Sequence, residues 1–206
     1  MKLKRKWLCL FPLACFAFEQ PARADTGLLG MELAAAQTRT DFFRFFHLEP
    51  VGSAETRDKH AIRHFRPSGP KFHDLVQLEV ETDSDDRILR LTLQLDRSFI
   101  DSSSTGVFGA DLAKSFLLDA GGGSERDALW PITNEIQFRD LARPILMHRA
   151  AAPELSHLTS SGYLAYRGRR TLWTFSTSEV TFTMRNADLD GKPVLFIEAE
   201  ALGKSG

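Results

Sequence analysis

Two stretches of strict alternation between apolar and polar residues constrain the fold of this chain more than any other feature. Between Phe72 and Glu81, two valines and a leucine alternate with one glutamine and two glutamates, and between Ile88 and Asp96 four leucines alternate with polar residues. A period of two is typical of strands with one buried face and one wet face. The run Asp-Ser-Asp-Asp at 83–86 favours a turn, so the pattern predicts an antiparallel hairpin.

The C-terminal third has a similar pattern and predicts a four-stranded meander. Its strands are expected at 163–167, 171–176, 179–185 and 194–201. The first turn is Arg-Gly-Arg-Arg at 167–170, read as a hairpin tip, and the last is Asp-Leu-Asp-Gly at 188–191. Outward glutamates at 79, 81, 198 and 200 would form one acidic face if their two strands were neighbours. Whether the meander joins the first hairpin in one sheet stays open at this point.

The middle of the chain predicts helices. Apolar residues recur at helical spacing between Asp111 and Asp119, and the glycines at 121–123 are expected to stop that helix. The residues at 125–127 are expected to lie with the glycines in an exposed loop. Thr133 or Asn134 is a suitable cap for a second helix that runs to Arg143 and ends at Pro144.

The N-terminal third is more ambiguous. The alanine-rich run 28–37 predicts a helix, whereas 42–46 and 59–65 fit either a helix or a strand. Together the patterns predict an α+β fold in which antiparallel hairpin and meander regions flank a helical middle segment. We expect one compact domain over 25–206, with sub-lobes at 25–105 and 106–206 as the alternative.

The first twenty-four residues predict export. Four basic residues within the first six positions precede an apolar run at 7–18, and Ala22-Arg23-Ala24 provides the small residues of a cleavage site. The run is shorter than the roughly 20 residues of a membrane-spanning helix. We therefore expect a signal peptide cleaved after Ala24 and a periplasmic or secreted bacterial protein. Lipid attachment at Cys15 is the weaker alternative, because Leu13 lies only two residues before it.

Cleavage would change the charge and the cysteine content. Both cysteines lie within residues 1–24, so the mature chain would have no disulfide, thiol nucleophile or cysteine metal site. Five basic residues and one acidic residue would be lost, which leaves a net charge of −5. Such a chain has no overall attraction to nucleic acid, and no later apolar stretch is long enough to span a membrane.

Three histidines form a candidate metal site. His60 and His64 share a face in either a helix or a strand, and His73 with Asp74 could complete a site. The sequence His-Ala-Ile-Arg-His lacks the glutamate of a metalloprotease helix, and the neighbouring basic residues would repel a cation. Solvated histidines are the simpler interpretation, and no cofactor is expected.

No catalytic motif has the required spacing. The serines at 102–104 lack the flanking glycines of a nucleophile elbow, and the glycines at 106, 109 and 121–123 lack the Lys-Ser/Thr of a phosphate loop. A hydrolase would have to bring Asp101, Asp111 and one histidine together by folding.

Two features favour binding. The chain has sixteen phenylalanines, and four of them lie at 42–46 around one arginine. A helix there is not expected to bury Phe42, Phe46 and Phe43 on one narrow stripe, so Phe42, Phe45 and Phe46 are candidate partner contacts. A second set of candidate contacts, which would bind an acidic group of a partner, is Arg167, Arg169 and Arg170.

We therefore expect a non-catalytic binding or adapter protein that acts on an envelope protein or another cell-envelope component. A periplasmic hydrolase and a small apolar-ligand carrier are the alternatives.

Overall fold

The computed structural model describes residues 27–141 and 160–202. The predicted signal peptide and the expected helix end at 143–144 lie outside these residues. Within them the fold is α+β, as predicted, with strand-rich regions on both sides of a helical middle. None of the helices in this part of the chain has the length and apolar character needed to cross a membrane.

The elements follow one another along the chain with short connections. The helices are α1 Leu33–Arg39, α2 Asp41–Phe45, α3 Arg97–Asp101, α4 Gly106–Glu135, a π-helix Ile136–Leu141 and α5 Ser161–Tyr166. The strands are β1 Leu48–Arg57, β2 His60–Pro67, β3 Val76–Thr82, β4 Ile88–Asp96, β5 Leu172–Ser176, β6 Val180–Leu189 and β7 Lys192–Ala201.

All seven described strands belong to one antiparallel sheet. Their order is β1-β2-β3-β4-β7-β6-β5, so the N-terminal meander and the C-terminal meander meet at β4 and β7. At that junction Leu93 is the register partner of Ile197. The sequence had left open whether the two regions share a sheet, and this pairing shows that they do.

One face of the sheet forms the core against α4. Leu78, Leu93 and Ile197 on this face have no solvent exposure, and the same is true of Leu112 and Phe116 on α4. Burial of these side chains supplies the main stabilisation of the fold, because each large apolar side chain removed from water contributes about 1.5–3 kcal/mol.

The inward positions alternate as the sequence predicted along β3 and from Leu91 to Leu95 in β4. At the start of β4 the prediction is wrong, because Ile88 is buried and Leu89 is only partly buried.

The glycine run interrupts the central helix, as expected. Gly122 has a φ of 72° and a ψ of −168°, a non-helical conformation open to glycine, so α4 consists of two helical segments that meet at a kink. The second segment begins earlier than expected, directly after the kink instead of at Thr133 or Asn134, and leads into the π-helix. Glu125, expected in an exposed loop, is helical and buried instead.

The segment expected as the first strand of the C-terminal meander is a helix. α5 spans Ser161–Tyr166, and the Ser160 side chain caps it by accepting a hydrogen bond from the Tyr163 amide. The C-terminal meander therefore has three strands. Residues 167–170 connect a helix to a strand and are not a hairpin tip.

The two ambiguous segments of the N-terminal third differ in structure. Residues 41–45 form a helix and residues 60–67 form a strand. The prediction that one stripe would not bury Phe42, Phe43 and Phe46 is wrong, because all three are buried.

The strand β1 could not be predicted from alternating apolar and polar residues. It is an edge strand of the sheet and is exposed along almost its whole length.

Candidate functional site

The short helix α2 presents one phenylalanine to solvent and three to the core. Phe45 is 62% exposed, whereas Phe42, Phe43 and Phe46 are each at most 3% exposed. The Phe45 ring packs edge-on against Phe46 with their centroids 5.0 Å apart. Phe45 is therefore an exposed aromatic side chain on a well-packed support.

That support is a continuous cluster of phenylalanine rings. Phe42 contacts Phe116 of α4 at a centroid distance of 5.8 Å, and Phe46 contacts Phe108 at 5.5 Å. Edge-to-face aromatic pairs of this kind each add about 0.5–1.5 kcal/mol beyond the area they bury. The position of α2 against α4 is thus strongly determined.

A groove of about 330 Å³ lies between α2 and α4. We call it the phenylalanine groove; its lining is Phe42, Phe45, Phe46, Asp111, Ser115, Leu118, Asp119 and Arg126. The α4 residues up to Asp119 recur at helical spacing and share one face. Arg126 lies beyond the kink and is exposed. The groove combines an apolar floor with two carboxylates and one guanidinium.

A second group of polar side chains lies where α3, the π-helix and α5 meet. Arg97, only 9% exposed, donates to both carboxylate oxygens of Asp101 at 2.7 and 2.9 Å. Its other terminal nitrogen donates to the Tyr166 carbonyl at 2.5 Å. We call this group the arginine–tyrosine cluster; its members are Arg97, Asp101, Asp140, Tyr163, Tyr166 and Arg167.

The remaining members extend the cluster toward the π-helix. The Arg167 guanidinium lies 3.4 Å from Asp140 and 3.7 Å from Asp101. Burial raises the pKa of both tyrosine hydroxyls above the ordinary value of 10, and the nearby Asp140 carboxylate raises each pKa further. Both tyrosines therefore stay protonated at neutral pH, and neither is suited to act as a base.

The residues grouped for the hydrolase hypothesis lie in different places. Asp101 is in the arginine–tyrosine cluster, where its partners are arginines, and Asp111 lines the phenylalanine groove. The Ser102 and Ser104 hydroxyls bond to each other at 2.9 Å.

The three histidines of the candidate metal site have separate partners. His60 Nδ1 lies 2.6 Å from Glu81, His64 Nδ1 lies 3.1 Å from the Gln77 amide, and His73 Nδ1 lies 3.2 Å from Asp74. Across residues 27–141 and 160–202, no group of three or more His, Cys, Asp or Glu side chains could hold a metal ion.

The open face of the sheet does not form the acidic surface considered from the sequence. The glutamates of β3 and β7 are separated by β4, whose Arg90 is in register with both Glu81 and Glu200. Arg90 pairs with Glu81, and Arg185 lies 3.7 Å from Glu198. Charges of opposite sign thus alternate across this face.

Phe45 was a candidate contact from the sequence, whereas the α4 residues on the other side of the groove were not predicted together as a site. The spacing of Asp111, Ser115, Leu118 and Asp119 marks one helix face, yet nothing local indicates that α2 lies beside it. The predicted contacts Phe42 and Phe46 form the buried floor of the groove. Of the predicted arginines, Arg169 and Arg170 are exposed and Arg167 is half-buried.

The chain matches no known protein-family model, and comparisons with curated proteins and with solved structures give no match either.

Proposed function

We propose that this protein is an exported, non-catalytic binding protein that captures a segment of an envelope protein in the phenylalanine groove. The observation that carries the proposal is the 62% exposure of Phe45 beside a groove floored by buried rings. Aromatic side chains held rigidly at a pocket are typical centres of protein interfaces. The basic and apolar pattern of residues 1–24 supports export to the periplasm or beyond.

The groove lining favours a particular kind of partner segment. Its apolar floor suits one bulky apolar side chain, and its volume of about 330 Å³ is at the lower end of ligand pockets. Its rim has the Asp111 carboxylate on the part of α4 before the kink, and the Arg126 guanidinium lies beyond the kink. We expect the bound segment to place a lysine or arginine next to its apolar side chain.

Affinity capture from envelope extract tests this proposal. The protein, exported through its own residues 1–24 and tagged at the C-terminus, is compared with its Phe45→Ser variant. A partner held stoichiometrically by the parent and reduced about tenfold or more by Phe45→Ser supports the groove. Leu189→Ser is the matched control, because Leu189 is an apolar side chain with 44% exposure on the β6–β7 hairpin.

The partner segment is then synthesised as a peptide and titrated. The peptide should bind the parent more tightly than Asp111→Lys, and replacing its basic residue by glutamine should weaken binding to the parent. Equal capture by the parent and Phe45→Ser, with native circular dichroism in both, would exclude the groove as the interface. A retained lipid in native mass spectra, without any protein partner, would instead favour the apolar-ligand carrier.

A further inference from the structure

We propose that residues 167–170, Arg-Gly-Arg-Arg, form a binding site for a phosphate group. We call this segment the arginine loop. It connects α5 to β5 and is next to the arginine–tyrosine cluster, of which Arg167 is also a member. The site is separate from the phenylalanine groove, which contains none of its residues.

The backbone of the arginine loop is held in one conformation. The Gly168 amide donates to Ala165 at 3.0 Å and the Arg169 amide donates to Leu164 at 2.8 Å, a pattern that closes the end of α5. Gly168 has a φ of 71°, in the left-handed region that favours glycine. The Asn186 side-chain amide also donates to the carbonyls of Ala165 and Arg170, at 2.7 and 3.0 Å.

Arg97 supports the loop from below. A Cβ atom on Gly168 would lie 3.3 Å from the Arg97 guanidinium, so the two are in close contact. Arg97 already has a bidentate partner in Asp101 and a carbonyl partner in Tyr166. Its donors are therefore used to position the loop and its neighbours.

The three arginines of the loop have donors to spare. Arg167 has carboxylates at 3.4 and 3.7 Å, which are distances of loose ion pairs. Arg169 and Arg170 are exposed, and in the described part of the chain neither has an ion-pair partner. The loop backbone is thus held in place by hydrogen bonds and carries two exposed guanidinium groups that have no ion-pair partner in the described residues.

The chemistry of these groups favours phosphate. Guanidinium forks match phosphate oxygens in bidentate geometry, and a phosphate monoester has a charge near −2 with three strong acceptor oxygens. A single carboxylate would leave most of the positive charge unmatched. Asp101 and Asp140 offset part of that charge, but they lie on the Arg167 side and leave Arg169 and Arg170 unpaired.

Two titrations test the site and separate its possible sources. Inorganic phosphate is added at constant ionic strength, with chloride as the comparison anion, and the melting temperature is followed. Binding to vesicles of phosphatidylcholine with 30% phosphatidylglycerol, against pure phosphatidylcholine, is measured by co-sedimentation. The test variant is Arg169→Gln with Arg170→Gln, and the control is Arg44→Gln with Arg57→Gln, which changes two exposed arginines on α2 and β1.

A phosphate-dependent rise in melting temperature that the test variant loses, with affinity falling about tenfold or more, identifies a soluble phosphate ligand. Binding to the anionic vesicles alone, weakened to a similar degree in the test variant, identifies a phospholipid headgroup. Equal responses of test variant and control, or no response of the parent to either probe, overturn the proposal. Phe45→Ser should keep the phosphate response, so the failure of either site is recognised independently of the other.

Discussion

Arg97 on α3 donates a 2.5 Å hydrogen bond to the carbonyl oxygen of Tyr166, the last residue of α5. These two residues are far apart in sequence, and their contact joins the helix after β4 to the helix before β5. Arg97 is nearly buried and also binds Asp101 through a bidentate pair. The contact therefore links the two halves of the chain on the helical side of the sheet.

Replacing Arg97 by methionine should lower the free energy of unfolding by about 2–3 kcal/mol, because hydrogen bonds to a charged group are lost and the Tyr166 carbonyl is left without this donor. Urea denaturation followed by circular dichroism measures the change. Arg185→Met is the matched control, since Arg185 lies on the open sheet face and is half exposed. A change no larger than that of Arg185→Met would show that the Arg97 contact adds little.

Phe46 and Phe45 should respond very differently to substitution. Phe46→Ala should cost about 3–5 kcal/mol, because it leaves a cavity among packed rings. Phe45→Ala should change stability by less than about 1 kcal/mol, since most of that side chain is already in water. The comparison, again by urea denaturation, also shows why Phe45 is the cleaner probe of the groove. Similar costs for the two variants would mean that Phe45 is a core residue.

Glu81 should make folding depend on pH in the acidic range. Burial alone would raise the pKa of its carboxyl, but hydrogen bonds from His60 and Arg90 and the charge of Arg90 lower it below the ordinary 4.5. A carboxyl with a lowered folded-state pKa stabilises the fold above its unfolded pKa, and that stabilisation is lost as the pH falls through the folded pKa.

Glu81→Gln should therefore lower the free energy of unfolding at pH 7 and have a smaller effect near pH 3. Urea denaturation of the parent and the variant across this range measures the difference. Glu49→Gln serves as the control, because Glu49 is exposed on the edge strand β1. A Glu81→Gln effect that is the same at both pH values would contradict the assigned lowering of the pKa.

Alanine substitutions at the two neighbouring glycines of the α4 kink should differ in their effect on stability. Gly122→Ala should destabilise the protein by about 1–3 kcal/mol, because its conformation is open essentially to glycine alone. Gly123→Ala should change stability by less than about 1 kcal/mol, because Gly123 has no positive φ and alanine can adopt its backbone conformation. Thermal denaturation of both variants measures this contrast, and equal effects would show that the kink does not depend on Gly122.

The sequence alone was sufficient to predict the strands in which apolar and polar residues alternate. Alternate residues face the core in β3 and in β4 from Leu91 onward, and that alternation is visible in the chain because a strand repeats every two residues. The α+β class followed from these strands and from the helical spacing of the middle segment. Of the three phenylalanines predicted as partner contacts, Phe45 is exposed, whereas Phe42 and Phe46 are buried.

Tertiary structure decided the rest, because the deciding contacts join distant parts of the chain. Residues 161–166 form a helix that contacts distant parts of the chain. Glu135 accepts hydrogen bonds from Ser160, and Gly162 packs closely against Ile132 and Trp173. The phenylalanine ring of residues 42–46 that stays exposed depends on where α4 and the sheet lie. The local sequence around α2 does not predict where those elements lie. The arginine loop likewise took its shape from Asn186 on β6, a neighbour that only folding could supply.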